Sequence, residues 1–274
     1  MCGRFSLTTS LDALLPRLRG ELPAGLADHY APRPQVRPGE PVLLQRQDQG
    51  RVAVGLALWG LVPEWSKDPR GLRRPINARA ETVAARPFFR GPWRHRRALL
   101  PADGFYEWQS RIDPSSGRTW KQPWLFRRRD RAPFWLGGLW ERWCGADGGE
   151  LETAVILTTA PNDLLRRVHD RMPVLIPDGL EEAWLEAVDG PGLRALEPLM
   201  APWDPAAWEA VKLEPAGSAP TPRSPDQARA RGCGAPASGR QRGASADPQQ
   251  LELLAGPEGW TPLDRDQPLA ADES

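Results

Sequence analysis

The second residue of the chain is a cysteine, in the segment Met1-Cys2-Gly3-Arg4-Phe5. Removal of Met1 would leave a 1,2-aminothiol at the N-terminus. An α-amino group has an ordinary pKa of about 7.7 to 8.0 and a thiol of about 8.5, so a minority of each is an unprotonated nucleophile near neutral pH. The amine can condense with an aldehyde, and the sulfur can then close the iminium into a five-membered thiazolidine. Cys2 is therefore the first candidate for covalent chemistry.

A second candidate is Asn77, in the segment Pro75-Ile76-Asn77-Ala78-Arg79-Ala80-Glu81-Thr82. Its amide can both donate and accept a hydrogen bond, and the cation of Arg79 follows two positions later. An asparagine in a loop is usually a turn former, so this segment alone is a weak indication of a site.

Glu107 is the third candidate, in Ala102-Asp103-Gly104-Phe105-Tyr106-Glu107-Trp108. Strand alternation would place Phe105 and Glu107 on one face, with Tyr106 and Trp108 on the other. Desolvation beside aromatic rings would raise the pKa of Glu107 toward neutrality and make it a usable general acid or base. The alternative is a surface ion pair with an arginine, and the sequence does not decide between the two.

His169 is the fourth candidate, in Val168-His169-Asp170-Arg171-Met172-Pro173-Val174. We predict a helix over Pro161–Val168, with proline in its first turn and Asp163 near its positive end. His169 would then lie at the negative end, which favours the imidazolium form. A capping role is the alternative for this residue. His29 and His95 lie in polar or arginine-rich loops and receive no reactive role.

The elements that must hold these side chains are mostly short, aromatic strands separated by turns. Predicted helices are Leu11–Leu18, Pro161–Val168 and Leu180–Val188. Predicted strands are Pro41–Leu44, Val52–Trp59, Ala98–Leu100, Gly104–Gln109, Trp124–Arg128, Phe134–Trp143, Leu151–Thr159 and Met172–Ile176. Many strands with few, separated helices indicate an α+β fold rather than a doubly wound parallel sheet.

Composition limits the class of protein. The 274 residues, 40% of them hydrophobic, can form one substantial core. There is no apolar run near 18 residues and no signal-peptide core, so we expect a cytoplasmic protein without a membrane span. The three cysteines and three histidines show no disulfide framework and no metal-ligand spacing, and we predict no disulfide, no metal and no cofactor.

The C-terminal part of the chain differs from the rest. Residues 215–274 contain nine prolines and are rich in Gly, Ala, Ser and Arg. We predict a disordered tail there and a folded domain over residues 2–214.

The net charge of +1 conceals an uneven distribution. The segment from Arg70 to Arg97 contains nine arginines and a single acid, Glu81, interleaved with Phe88, Phe89 and Trp93. A protein that binds single-stranded nucleic acid needs cations to contact the phosphates and flat rings to stack on the bases. A solvated arginine-rich loop is the alternative interpretation.

Taken together and in order, six blocks closely resemble the SOS-response-associated peptidase (SRAP) family. They are Cys2-Gly3-Arg4-Phe5, Trp59-Gly60-Leu61-Val62-Pro63, Asn77-Ala78-Arg79-Ala80-Glu81-Thr82, Ala102-Asp103-Gly104-Phe105-Tyr106-Glu107-Trp108, Lys121-Gln122-Pro123 and His169-Asp170-Arg171-Met172-Pro173. The resemblance spans roughly residues 2–178. It implies a single α+β domain with a barrel-like, largely antiparallel sheet and a few peripheral helices. It also implies covalent capture of abasic sites in single-stranded DNA by a monomer whose Met1 has been removed, which protects the damaged DNA.

The resemblance further implies residue roles. Cys2 would supply the amine and the thiol, and Asn77 would hydrogen-bond the N-terminal cysteine and the opened sugar. Glu107 would be the acid/base carboxylate, and His169 would assist sugar opening and Schiff-base formation. The implied DNA contacts are Arg79 and Arg86 for phosphates, Trp65 and Pro34 for bases, and Arg4 and Thr158 beside the cleft.

Three departures from the family pattern stand out. Tyr30-Ala31-Pro32-Arg33-Pro34 lacks the usual asparagine, and Ser66 replaces a second tryptophan beside Trp65, which predicts weaker stacking. The family's C-terminal signature is not recognisable after Trp208. We therefore expect the last core strand or loop to be degraded or replaced.

Two other classes of function compete with DNA capture. A cysteine peptidase or amidohydrolase of the N-terminal-nucleophile type would use the Cys2 thiol on an acyl group, with Glu107 or His169 as base. It would not need the arginine-aromatic segment. A non-catalytic single-strand binding module is the third interpretation, and its binding would be unchanged by Cys2→Ser.

Overall fold

The computed structural model describes residues 2–188 and 190–214. The tail predicted from residue 215 lies outside these residues, so that prediction and the domain boundary stay predictions. The strands are β1 (Phe5–Leu7), β2 (Arg33–Val36), β3 (Pro41–Asp48), β4 (Arg51–Trp59), β5 (Asn77–Arg79), β6 (Arg97–Ala102), β7 (Gly104–Ile112), β8 (Thr119–Arg128), β9 (Phe134–Cys144), β10 (Glu150–Thr159), β11 (Met172–Pro173), β12 (Leu175–Ile176) and β13 (Trp208–Lys212). The helices are α1 (Leu11–Leu14), α2 (Leu26–His29), α3 (Arg90–His95), α4 (Glu181–Glu186) and α5 (Gly190–Ala195).

Five strands close into a barrel in the order β10-β4-β3-β6-β9, with β9 returning to pair with β10. All of these pairs are antiparallel except β10 with β4. Strand β9 contains Gly138, where an added Cβ would lie 2.9 Å from the carbonyl oxygen of Val155. The close approach of β9 to its neighbour therefore requires a residue without a side chain. The predicted α+β class with a barrel-like, largely antiparallel sheet is confirmed.

A second sheet of five strands has the order β13-β8-β7-β1-β2. Strand β7 follows β6 directly, so the chain passes from the barrel into this sheet at residue 103. Inward-facing aromatic side chains pack the second sheet: the rings of Phe105 and Phe126 stack at 5.2 Å, and those of Phe134 and Trp208 meet at 4.7 Å. The junction between barrel and sheet brings the N-terminus close to β7.

Strand β13 corrects one prediction. The last core strand is present and pairs with β8 in a continuous antiparallel register from Trp208 opposite Arg128 to Lys212 opposite Trp124. Trp208 is buried against Phe105 and Phe134. The family signature is therefore altered in sequence, but the backbone pairing and its aromatic anchor persist, because strand pairing depends on main-chain groups.

Residues 161–168 correct a second prediction, because they form turns and no continuous helix. Two i to i+4 bonds are made, Arg166 N–H to Asn162 O at 2.9 Å and His169 N–H to Leu165 O at 2.9 Å. The Asn162 side-chain oxygen accepts the Leu165 N–H at 3.0 Å. This is the hydrogen bond of a helix N-cap, but the turn that it begins does not continue as a helix. The other helices are also short, and no helix of the described residues is long and apolar enough to cross a membrane.

Arg97 is a buried cation that joins α3 and α4 through backbone carbonyls. Its guanidinium donates to the oxygens of Trp184 at 2.6 Å, Trp93 at 2.5 Å, Arg94 at 3.1 Å and Leu185 at 3.2 Å, and also to Ala187 O. Burial lowers its pKa to about 10, so it remains charged at neutral pH. Orphan carbonyls at two helix ends are thereby satisfied by one side chain.

We expect Arg97→Met to lower the free energy of unfolding by about 3 kcal/mol, because several buried carbonyls would lose their donor. Urea unfolding followed by tryptophan fluorescence measures this. Arg94→Met is the matched control, since its side chain is exposed at the end of α3. Equal small losses in the two variants would contradict a structural role for Arg97.

Candidate active site and nucleic-acid interface

Cys2 lies at the start of an extended segment that leads into β1, and its side chain is fully buried. Strand β1 pairs with β7, with Phe5 opposite Phe105. Beyond β1, Asp103 accepts hydrogen bonds from the Ser6 hydroxyl at 2.7 Å and the Thr9 N–H at 3.0 Å. This carboxylate fixes the far end of the segment, and it thereby fixes where Cys2 can lie. Sequence analysis gave Asp103 no role, although it begins the motif that contains Glu107.

Asn77 holds the near end of the same segment. Its Nδ2 donates to the carbonyl oxygen of Cys2 at 2.9 Å, across a separation of 75 residues. Asn77 begins β5, which runs parallel to β10, and the preceding carbonyl of Ile76 accepts from the indole of Trp59 at 2.8 Å. The Asn77 Oδ1 is buried and has no hydrogen-bond partner among the described residues. It is therefore an acceptor available to a ligand hydroxyl beside Cys2.

Glu107 is 1% exposed, so it is a buried carboxyl and not part of a surface ion pair. The predicted alternation along β7 is observed, because Phe105 points into the core while the rings of Tyr106 and Trp108 contact each other at 6.4 Å. Burial raises the pKa of Glu107 to about 7. Near neutral pH this group can therefore give or take a proton.

His169 faces Glu107, with 3.8 Å between Nε2 and Oε2. Its Nδ1 lies 3.1 Å from the backbone nitrogen of Arg171 and 2.9 Å from Oδ1 of Asp170. One ring nitrogen cannot accept from the first and donate to the second. Because the Asp170 side chain is 86% exposed and the backbone N–H is fixed, we assign Nδ1 as the acceptor. The neutral ring then carries its proton on Nε2, toward Glu107.

The structure reverses the predicted charge of His169. Burial lowers its pKa, which favours neutral imidazole, and there is no helix in residues 161–168 whose negative end would favour imidazolium. The thiol of Cys2 also differs from expectation. Burial, followed by the nearby charge of Glu107, raises its pKa well above the ordinary range, so the sulfur is protonated near neutral pH. Any attack by this sulfur therefore needs a base.

The sequence that forms this site matches a known protein family. The model of the SOS response associated peptidase (SRAP) family matches residues 1–216. The chain belongs to this family. The SRAP match includes the segments of all four candidate catalytic residues and also β13, whose sequence had made the C-terminal part doubtful.

Relatives and solved structures agree with the SRAP assignment. The abasic site processing protein YoqW of Bacillus subtilis (strain 168) is 36% identical over 228 residues, which cover 82% of this chain and 98% of YoqW. The abasic site processing protein YedK of Escherichia coli (strain K12) is 32% identical over 199 residues, or 69% of this chain and 82% of YedK. A crystal structure of a protein from Bacteroides thetaiotaomicron has a TM-score of 0.67 over 78% of this chain and 92% of its own, at 23% identity, and supports the fold.

Several of the side chains expected to contact DNA lie at the surface. Trp65 is 65% exposed and meets the edge of Phe88 at 6.0 Å, while Arg79 and Arg86 are exposed. The guanidinium of Arg4 lies 4.9 Å from the Trp108 ring. These groups therefore offer exposed cations and rings of the kind that single-stranded DNA requires.

Two of the residues expected at the DNA surface also contribute to the framework. Pro34 gives its carbonyl oxygen to the Tyr106 hydroxyl at 2.8 Å. Thr158 is 1% exposed, and its carbonyl accepts from Arg171 at 2.6 Å. Arg171 also makes two 2.8 Å bonds to the carboxylate of Glu81. Sequence analysis missed this bridge between β5 and the His169 loop, although both of its charged residues stand in the motifs quoted above.

The raised pKa of Glu107 has a consequence for stability. The pKa of this carboxyl rises from 4.5 to about 7 on folding, so the folded state binds its proton more tightly than the unfolded state does. The resulting contribution to the free energy of unfolding is complete below pH 4.5 and is lost as the pH rises through 7. Between pH 5 and pH 8 we expect the wild type to lose up to about 3 kcal/mol of unfolding free energy through this carboxyl, and Glu107→Gln to show no such loss. Urea unfolding at the two pH values measures this, and a difference independent of pH would contradict the buried carboxyl.

Proposed function

We propose that this protein processes abasic sites in single-stranded DNA by capturing them covalently on Cys2. The observation that carries the proposal is the convergence of three distant residues on the N-terminal segment that begins at Cys2. Asn77 holds the carbonyl of Cys2 at 2.9 Å, and the negative charge of Glu107 acts on its thiol. His169 faces Glu107 at 3.8 Å and completes the group.

Removal of Met1 comes first, because an amide nitrogen cannot condense with an aldehyde whereas the freed α-amine can. Nothing in the chemistry requires a separate enzyme for this step, and the family name is consistent with self-processing. Once freed, the amine and thiol belong to one residue, which gives the second reaction the advantage of proximity.

The first chemical step opens the sugar. An abasic deoxyribose exists mostly as a cyclic hemiacetal, so the hydroxyl on C1′ must lose a proton while the ring oxygen gains one. Ionised Glu107 would take the proton of the C1′ hydroxyl and pass it to the ring oxygen, and the Nε2–H of neutral His169 would hydrogen-bond that oxygen. The unpartnered Oδ1 of Asn77 can accept a hydrogen bond from a sugar hydroxyl.

The second step forms the crosslink. The amine nitrogen of Cys2 adds to the C1′ aldehyde, and the resulting hydroxyl leaves as water with a proton taken from solvent, which gives an iminium. The Cys2 sulfur then adds to C1′ and closes the thiazolidine, and its proton passes to the Glu107 carboxylate, which returns it to solvent. The sum is condensation of aldehyde and aminothiol with release of one water and no change of oxidation state. A buried, protonated thiol with a carboxylate beside it suits this sequence better than it suits thiolate attack on an acyl group.

Affinity for DNA would come from phosphates and rings, because an abasic nucleotide has no base to read. Arg79 and Arg86 would bind phosphates, while Trp65, Pro34 and Arg4 would bound the cleft. Thr158 would act by holding β5 against β10. We therefore propose binding with little sequence preference and a strong dependence on salt.

The test uses the purified full chain, with Met1 shown to be absent by mass spectrometry. It is incubated with single-stranded DNA containing one abasic site, and a heat-stable, SDS-resistant shift is sought. We expect the shift with the wild type and none with Cys2→Ala. Absence of the shift in the processed wild type would overturn the proposal and return the hydrolase interpretation to consideration.

A further inference from the structure

A polar cavity of about 550 Å³ opens beside the Glu107 and His169 pair. Its volume lies within the range of small-molecule sites. Beyond the two catalytic side chains, the cavity is formed by the root of the β7–β8 hairpin and by the loop that precedes β11. The residues of this outer part are Trp108, Gln109, Ser110, Lys121, Arg167, Val168 and Asp170. The capture chemistry gives no role to the hairpin and loop cations in this set.

Two cations line the cavity without an acidic partner. Lys121 Nζ donates to the Ser110 hydroxyl at 2.6 Å across the hairpin. Arg167 is held from the other side, since its carbonyl accepts from Gln109 Nε2 at 2.5 Å. Within residues 2–188 and 190–214, neither Lys121 nor Arg167 has a carboxylate within ion-pair distance. Asp170 and Glu107 also line the cavity, but neither forms an ion pair with these two cations, which therefore remain available to an anionic ligand.

The cavity also offers a neutral acceptor. Gln109 Oε1 is buried and lacks a hydrogen-bond partner among the residues that the structure describes. A phosphate alone cannot satisfy it, because a phosphodiester has no donor. A sugar hydroxyl or a base N–H can. Cations and a buried acceptor together match a nucleotide better than they match an inorganic anion.

The two sides of the active site come from different sheets. Trp65 follows β4, while Arg79 ends β5, which pairs with barrel strand β10, and Arg86 lies in the turns after it. Lys121 belongs to the second sheet, on β8, which pairs with the strand that carries Glu107. A DNA strand with its sugar at Cys2 would contact the first group on one flank and the hairpin on the other.

We propose that this cavity binds the phosphodiester and the nucleotide next to the abasic site, on the flank opposite Arg79 and Arg86. This inference rests on the proposed capture of abasic DNA. Lys121 and Arg167 would bind the phosphate, and Gln109 would accept from the nucleotide. The neighbouring phosphate would hold the sugar against the acid–base pair, so the site would act mainly on DNA affinity.

The experiment compares three oligonucleotides: one with nucleotides on both flanks of the abasic site, one without the 5′ flank and one without the 3′ flank. Crosslinking rates of the wild type and a Lys121→Ala, Arg167→Ala double variant are measured against DNA concentration. With both flanks present we expect about a tenfold higher half-saturating concentration for the double variant and a limiting rate within about twofold. We expect this penalty to vanish for one of the two truncated DNAs, which identifies the flank.

Matched variants separate this site from general charge effects. Arg51→Ala, on the β3–β4 turn, removes a cation that does not line the cavity and should leave the half-saturating concentration unchanged. Lys121→Arg should restore most of the affinity lost in Lys121→Ala. For the double variant, the salt dependence of binding should weaken by about 0.7 in log–log slope for each phosphate contact removed.

The proposal is overturned if the double variant shows no penalty, or the same penalty on both truncated DNAs. Failure of capture itself is distinguishable, because it would remove crosslinking from the wild type on every DNA. In that event the same three DNAs, carrying a tetrahydrofuran analogue in place of the abasic sugar, report binding by fluorescence anisotropy. The flank-specific penalty is then confirmed or refuted without the covalent step.

Discussion

Cys2→Ser is expected to abolish stable crosslinking, by at least about 100-fold, while strand cleavage at the abasic site appears. The variant keeps the α-amine after Met1 removal, so the Schiff base still forms. A hydroxyl is a far weaker nucleophile than a thiol, so the iminium persists. It acidifies the C2′ hydrogens, and loss of one of them expels the 3′ phosphate. This result would show that protection of the abasic site from strand cleavage depends on the sulfur of Cys2.

Two readouts from one reaction check this result: the SDS-resistant shift, and the shortened DNA on a denaturing gel. Cys144→Ser is the matched control, because Cys144 is a free, exposed thiol far along the chain. It should crosslink as the wild type does. A Cys2→Ser variant that retained the heat-stable shift, with Met1 verified absent, would show that capture does not depend on the sulfur.

Glu107→Gln is expected to slow crosslinking at saturating DNA by about 100-fold, because the amide cannot take the proton from the sugar hydroxyl or from the buried thiol. The ratio of the wild-type rate to the variant rate should rise as the pH passes through about 7, where the carboxyl ionises. By microscopic reversibility the protonated carboxyl assists reopening of the thiazolidine. Crosslink release should therefore be slower in the variant and, in the wild type, slower above pH 7.

This ratio of crosslinking rates, measured between pH 5.5 and 7.5, isolates the carboxyl, because deprotonation of the α-amine near pH 8 raises both rates alike. Glu141→Gln is the matched control, because Glu141 is also a buried glutamate with a raised pKa but pairs with Arg96 away from Cys2. Its crosslinking should follow the wild-type profile. A Glu107→Gln variant that releases its crosslink as fast as the wild type would contradict the assigned proton transfer.

Strand content and fold class were readable from the sequence because they depend on local patterns. The alternation through Phe105 and Glu107 predicted the faces of β7, and β-branched and aromatic runs marked the barrel strands. The predicted helix over Pro161–Val168 was wrong: Asn162 accepts the Leu165 N–H as a helix N-cap does, but the turns that follow do not join into a helix. β13 was doubted because its motif is altered, but its pairing with β8 depends on backbone groups that no motif displays.

The sequence by itself determined which side chains are candidates for chemistry at this site. An aminothiol precursor at residue 2, an amide at Asn77, a carboxyl at Glu107 and an imidazole at His169 stood in motifs that resembled one family, and the family is confirmed. Cations and rings near Trp65 indicated a nucleic-acid surface in the same way. These are properties of residue type and order, so they require no coordinates.

Only the tertiary structure decided the state of those groups. Burial protonates the Cys2 thiol, brings the pKa of Glu107 to about 7 and keeps His169 neutral, and burial depends on how barrel and sheet meet. The same packing of barrel against sheet lets the Asn77 side chain donate a hydrogen bond to the carbonyl of Cys2, 75 residues away in the sequence. Desolvation and long-range contacts arise from residues far apart in the chain, so local sequence cannot reveal them.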